Sequence, residues 1–117
     1  ALNDRVPLEI DIRRDRNQLS SVNQQGMIEN SYIVKLTNKT QSAHTYKISL
    51  EPQDGLSLGV RFNDVPLEAG ESFDMPVSIY GDPEKIEFRQ TPITITVASE
   101  EGQYNVSKQN IFTTQGQ

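Results

Sequence analysis

The side chains that could carry out chemistry are few, and they are scattered along the sequence. His44 is the only histidine, and Met27 and Met75 are the only methionines. Imidazole and thioether groups are ligands that suit Cu(I). No two of these residues stand at the short spacing of a ligand pair, and cysteine is absent. The spacing therefore predicts no tight metal site in this domain, and without cysteine there is neither thiolate chemistry nor a disulfide.

His44 has two interpretations that the sequence leaves open. It shares the alternation of Tyr46, Ile48 and Leu50, which places it at the inner end of a strand. It is either a structural residue that closes one end of the fold, or a ligand or proton-transfer group. No nucleophile–base pair stands out, so we expect no catalysis from this domain.

The densest charged stretch is Arg14, Asp15, Arg16 and Asn17, which follows the first predicted strand. One interpretation is a corner at which arginine–aspartate hydrogen bonds fix the exit of the chain from the strand. The other is a contact with an anion or a protein partner through the forked guanidinium group. These four residues are the only candidate site that we single out.

Charge and hydropathy exclude several classes of partner. The sequence has 16 acidic and 11 basic residues and a formal net charge of −5. Phosphate backbones and anionic lipid surfaces repel such a domain, so we expect no nucleic-acid partner. No apolar run approaches the roughly 20 residues that span a bilayer, and no signal peptide opens the sequence. We therefore expect no direct membrane insertion of this segment.

Apolar residues alternate with polar ones in most of the chain, which indicates half-buried strands. Six clear runs precede a seventh over 104–113, where Val106 and Ile111 have opposite parity and predict a bulge or a break in the strand. Turn residues separate the runs at short intervals. The pattern predicts an all-β, immunoglobulin-like sandwich of about seven mainly antiparallel strands with little helix. We expect the core to contain Leu8, Ile10, Ile12, Tyr32, Val34, Leu36, Ile48, Leu50, Leu58, Val60, Phe73, Val77, Ile79, Ile93, Ile95 and Val97.

Local signals add three expectations. Pro76 has no N–H to give to a ladder, so its strand should be an edge strand or bulged there. Asp82 and Pro83 suit the N-cap and first position of a single helical turn. The domain should span 6–114, between a linker or cloning remnant at 1–5 and a tail at 115–117.

Several short motifs occur together in this sequence. Pro7–Asp11 leads into Arg14–Asn17, and Ile28–Tyr32, Lys35–Asn38 and His44–Tyr46 follow. This series resembles the C-terminal immunoglobulin-like domain of the FixG/CcoG proteins, which are accessory proteins of bacterial cytochrome oxidase. The resemblance covers essentially the whole chain. Its specific part is the charged stretch together with residues 28–38.

The resemblance implies a parent protein in the inner membrane that holds iron–sulfur clusters on cysteine motifs. It also implies a role in assembling the cbb-type cytochrome c oxidase, with reduction of copper, and a periplasmic location for the sandwich. This sequence has no cysteine, so the clusters and their redox chemistry would belong to the rest of the parent. We expect an interaction or scaffolding domain with a protein partner, either oxidase assembly components or the rest of the parent chain. The alternatives are a domain that handles copper directly and a purely structural cap.

Overall fold

The computed structural model describes residues 7–15, 21–22 and 25–114. Within these ranges no helix is long and apolar enough to cross a membrane. The proposed linker at 1–5 and tail at 115–117 lie outside the described residues, so the domain limits stay a prediction. The strands of the described chain are β1 (Leu8–Arg14), β2 (Ser21–Val22), β3 (Ile28–Asn38), β4 (His44–Leu50), β5 (Leu56–Val60), β6 (Val65–Leu67), β7 (Ser72–Gly81), β8 (Gln90–Ser99) and β9 (Asn105–Thr113).

The strands form two antiparallel sheets, and the predicted sandwich is confirmed. The first sheet has the order β1-β3-β7-β5, with β2 also paired to β3, and the second has the order β6-β4-β8-β9. The seven predicted strands are all present. The two additional strands, β2 and β6, are too short to show a period-two pattern in the sequence.

The core forms because each long strand turns its apolar side chains to one face. In β3 the buried residues Tyr32, Val34 and Leu36 alternate with half-buried and exposed ones, and Ile93, Ile95 and Val97 do the same in β8. Full burial of such a side chain stabilises the fold by about 1.5–3 kcal/mol. The predicted core is correct in position, although six of its members are only partly buried: Ile12, Ile48, Leu50, Leu58, Val60 and Phe73.

The predicted bulge or break in the last strand is wrong. β9 pairs with β8 in an unbroken register, from Gln90 opposite Thr113 to Ala98 opposite Asn105. Phe112 is fully buried, whereas Ile111 points outward with 38% of its surface exposed. An apolar residue at an outward position produced the change of parity, and no extra residue is inserted.

The expectation of a single turn at Asp82 and Pro83 holds. The chain makes a single turn after β7, in which Ile86 N donates to Asp82 O and Glu84 N to the Asp82 carboxylate, at 3.0 Å each. Between β6 and β7, Glu71 N donates to Glu68 O at 3.0 Å. Gly70 in this turn has a φ of 78°, a value that glycine adopts without a steric cost.

Buried polar side chains join the two sheets. At one end of the sandwich Asn30 donates to Thr113 O at 2.9 Å and accepts from Thr113 N at 2.8 Å. The hydroxyl of Tyr32 donates to Ile111 O at 2.6 Å. At the other end the Asn38 amide donates to Leu67 O at 3.2 Å. These asparagine and tyrosine residues belong to the motifs noted in the sequence, and their observed role is structural.

Candidate functional site

The charged stretch predicted as a corner is only partly described. Arg14 ends β1, and its guanidinium group lies over the ring of Tyr32, 5.8 Å from the centroid. Asp15 N donates to Ser31 O at 3.0 Å, so the backbone still follows β3 at this point. Arg16 and Asn17 lie outside the described residues. The choice between a structural corner and a partner contact therefore stays a prediction.

Asp15 also lines a concave surface on the outer face of the first sheet. This groove has a volume of about 390 Å³. Across it, Ser78 Oγ donates to Glu29 Oε2 at 2.8 Å. The ring of Tyr80 lies against Gly59, where a Cβ atom would come within 2.6 Å of it. The groove is polar, and the Glu29 carboxylate in its lining already accepts a hydrogen bond.

His44 lies at the inner start of β4, as predicted, with 12% of its side chain exposed. Its Nδ1 is buried and has no hydrogen-bond partner among the described residues. The closest carboxylate oxygen, Glu101 Oε1, is 3.8 Å away, which is beyond hydrogen-bond distance. The ring of Tyr104 meets the imidazole edge-on at 5.2 Å. His44 therefore packs as a ring that closes this end of the core.

Tyr46 lies two residues further into the core and is fully buried. Its hydroxyl also has no hydrogen-bond partner within the described part of the chain. Burial raises the pKa of Tyr46, and nearby Tyr104 and Glu101 raise it further. The phenol is therefore held neutral and is poorly suited to be a base. Sequence analysis placed Tyr46 on the inner face, but it gave no sign that its hydroxyl would lack a partner.

The two methionines and His44 do not come together. Met75 is fully buried on β7 opposite Val34, so it fills the core. Met27 precedes β3 at the end of the sandwich opposite to His44. From Met27 to Val34 is seven residues of mostly extended chain, roughly 20 Å. Across the described ranges, no group of three or more His, Cys, Asp or Glu side chains could hold a metal ion.

The other candidate surface is an open stretch of β7. β3 pairs with β7 along Ser72–Gly81, but β5 pairs only with Val77–Gly81, because β5 ends at Val60. No strand of the described chain pairs with the second side of residues 72–76. The expectation that the strand is an edge at Pro76 is therefore correct, although the second half of β7, from Val77 to Gly81, is interior to the sheet.

The free backbone groups of this stretch can be assigned from the ladder. Asn38 N donates to Glu71 O at 2.9 Å, so the backbone of Glu71 faces β3. Bonding direction alternates along an antiparallel strand. Ser72, Asp74 and Pro76 therefore direct their backbone groups to the open side. The absence of an N–H group at Pro76 therefore removes no hydrogen bond from the ladder between β7 and β3.

An apolar groove adjoins this open edge. It lies between β7 and β6, the edge strand of the second sheet, and encloses about 180 Å³. Phe62, which is 49% exposed, packs edge-on against Phe73 at 6.3 Å between ring centroids. We call this surface the edge groove. Its lining consists of Phe62, Asp64, Val65, Pro66, Leu67, Glu71 and Phe73.

The rim of the edge groove is acidic. Asp64 is neutralised by Lys47, whose Nζ lies 2.7 Å from Oδ1, and this bond raises the pKa of Lys47. Glu68, Glu71 and Asp74 are exposed carboxylates of the same region. Glu71 Oε1 accepts a hydrogen bond from Glu68 N at 2.7 Å, which orders its side chain. Pro76 indicated the open strand in the sequence, but no residue pattern indicated the groove beside it.

Nearly all of the chain is similar to proteins of the same fold. Residues 1–115 match a family model described as the IG-like fold at the C-terminal of FixG, a protein to which oxidoreductase activity has been ascribed. The chain is also similar to a solved structure, that of a FixG-related protein from Vibrio parahaemolyticus. The two share 27% identity over 93% of this chain and 97% of that one, with a TM-score of 0.81. No curated protein gives a significant match.

Proposed function

Because this chain belongs to the family of immunoglobulin-like domains at the C-terminal of FixG, we propose that it is an interaction and scaffolding domain. It has no catalytic role of its own and serves a membrane-bound iron–sulfur protein. The observation that carries the proposal is the edge groove, where the open side of β7 at residues 72–76 meets an apolar concavity. Monomeric domains usually cover or interrupt such edges, because an open edge pairs readily with another chain.

The parent context of the proposal comes from the family. The domain faces the periplasm, and the parent assists assembly of the cbb-type cytochrome c oxidase and the reduction of copper. The iron–sulfur clusters lie elsewhere in the parent, since this sequence contains no cysteine. In this arrangement the domain brings a protein partner to the redox centre. The partner is an oxidase assembly component or another part of the parent.

The test compares the intact parent protein with a form that lacks this domain, in the bacterium that encodes it. We expect the shortened parent to keep its iron–sulfur clusters, measured by absorbance and electron paramagnetic resonance. We expect the amount of assembled oxidase to fall. Loss of the clusters would instead favour a structural cap, and an unchanged level of oxidase would refute the proposal.

A copper-handling domain would behave differently in the same strains. Added copper should restore the oxidase if the domain supplies copper, because the missing step is then delivery of the ion. If the domain recruits a protein partner, added copper should leave the defect unchanged. Chemical crosslinking through the intact domain should then recover an assembly component or a segment of the parent.

A further inference from the structure

We propose that the edge groove binds an extended peptide segment, which adds as a strand to β7 along residues 72–76. The segment carries apolar side chains at alternate positions and lysine or arginine beside them. This inference rests on the proposed interaction function and specifies its surface and its ligand.

The backbone of β7 supplies the first part of the argument. Ser72 and Asp74 each direct an N–H and a C=O group to the open side, and Pro76 directs a C=O group alone. An added strand can bond to these groups as β5 bonds to the second half of β7. Pro76 offers no donor, so the new ladder is short and stops where β5 ends, at Val60 opposite Val77. Proline at such a position also limits indiscriminate pairing.

The apolar lining supplies the second part. Alternate side chains of an added strand point to the same face. Those that point inward would meet Phe62, Phe73 and Leu67, which line the gap between the sheets. Phe62 lies where the chain leaves β5 for β6, so its ring forms the wall at the β5 end of the open edge. Its large exposed fraction makes it the residue that gains most from being covered.

Charge decides which occupant fits. Glu71 is the carboxylate that remains in the lining after Lys47 has neutralised Asp64, and Glu68 and Asp74 are exposed carboxylates that adjoin the lining residues along the chain. A basic segment is attracted to these carboxylates, and attraction of this kind weakens as salt increases. A second copy of this chain would bring its own acidic rim against them. Like charges at an interface oppose association, so the rim disfavours pairing of two identical edges.

The experiment uses the 117-residue chain and a displayed library of random peptides. We expect the selected peptides to share alternating apolar residues flanked by lysine or arginine. A synthetic peptide with the shared pattern should shift the amide resonances of residues 72–76 in the NMR spectrum. Phe62→Ala should weaken its binding about tenfold or more, as for a buried aromatic anchor. Phe88→Ala is the matched control, because Phe88 is 68% exposed outside the groove and should leave binding unchanged.

Two further variants separate charge from shape. Asp74→Asn keeps the backbone of the open edge and should weaken binding at low salt, with little effect at high salt. Glu87→Gln removes an exposed carboxylate outside the groove and should have no effect on binding. Far-UV circular dichroism of all four variants verifies that each is folded. A peptide affinity that Phe62→Ala leaves unchanged would overturn the proposal.

Other outcomes also contradict the inference. A library that yields no shared pattern, or peptides that shift resonances elsewhere, would show that the groove does not select basic strands. Self-association in analytical ultracentrifugation, abolished by Phe62→Ala, would identify a second copy as the occupant. The proposed function would survive if crosslinks then mapped a partner to another surface. Conversely, specific peptide binding to the 117-residue chain, together with normal oxidase levels in the shortened parent, would refute the proposed function. The inference that the edge groove binds a peptide would then still hold.

Discussion

Tyr32 and Tyr46 allow a direct test of how hydrogen bonding contributes to this fold. Both are fully buried, and replacement by phenylalanine removes one hydroxyl from each. The Tyr32 hydroxyl donates to Ile111 O at 2.6 Å. The Tyr46 hydroxyl has no partner among the described residues. The two substitutions are chemically identical, so a difference in their effects reports the hydrogen bond.

The expected magnitudes follow from these contacts. Tyr32→Phe loses a hydrogen bond that joins the sheets and leaves a carbonyl without its partner, which costs about 1–3 kcal/mol. Tyr46→Phe loses no hydrogen bond and removes a buried polar atom, so the free energy of unfolding should stay level or rise by up to about 1 kcal/mol. A difference of about 2 kcal/mol corresponds to roughly 8 °C in Tm for a domain of this size.

The assay is urea and thermal unfolding followed by far-UV circular dichroism. Tyr80→Phe serves as the control, because Tyr80 lies on the outer face of the first sheet. Its effect should stay within about 0.5 kcal/mol. If Tyr46→Phe destabilised the domain as much as Tyr32→Phe, the reasoning would fail. The Tyr46 hydroxyl would then have a bound water or ligand as its partner.

Three other predictions concern pH, the charged corner and copper. Burial raises the pKa of Tyr32 in the folded state. The contribution of the neutral Tyr32 phenol to the free energy of unfolding is therefore complete below the unfolded pKa of about 10. Above that pH the free energy of unfolding falls, by up to about 1.4 kcal/mol per pH unit. Urea melts at alkaline pH should show this loss, and Tyr32→Phe should lessen it. Asp15→Ala should lower the free energy of unfolding by about 1 kcal/mol, because Asp15 is half-buried. Unchanged stability with loss of partner binding would instead favour the interpretation of this charged stretch as a partner contact. Competition with a Cu(I) chelator should reveal no tight copper site, and stoichiometric binding abolished by His44→Ala or Met27→Ala would contradict this.

Much of the fold could be predicted because burial imposes a period of two on each long strand. Leu36, Val77 and Ile95 lie where the alternation places them. The prediction of the last strand failed, because the alternation of apolar residues does not by itself report the backbone geometry. Ile111 broke the parity without a bulge, because its backbone stays in register while its side chain faces outward.

The candidate site was harder to predict than the fold. Pro76 indicated an open edge, because a missing N–H is a local property that the sequence displays. The groove depends on Phe62 and Leu67 approaching Phe73 from other elements, and this contact is set by the packing of two sheets. The partners of Asn30 and Asn38 were equally hidden, since asparagine side chains bond to backbone groups whose position only the fold determines.

The two long sides of the sandwich differ, and this difference connects stability to the proposed function. On one side β1 and β9 are adjacent, and Asn110 of β9 donates to Ile12 O of β1 at 3.3 Å. The bonds from Tyr32 and Asn30 to β9 join the sheets at the same end of this strand. On the other side β5 stops early, and Phe62 forms one wall of a groove that no described strand covers. Because the hydrogen bonds between the sheets at β9 involve no residue of the groove, a peptide can bind beside β7 without breaking them.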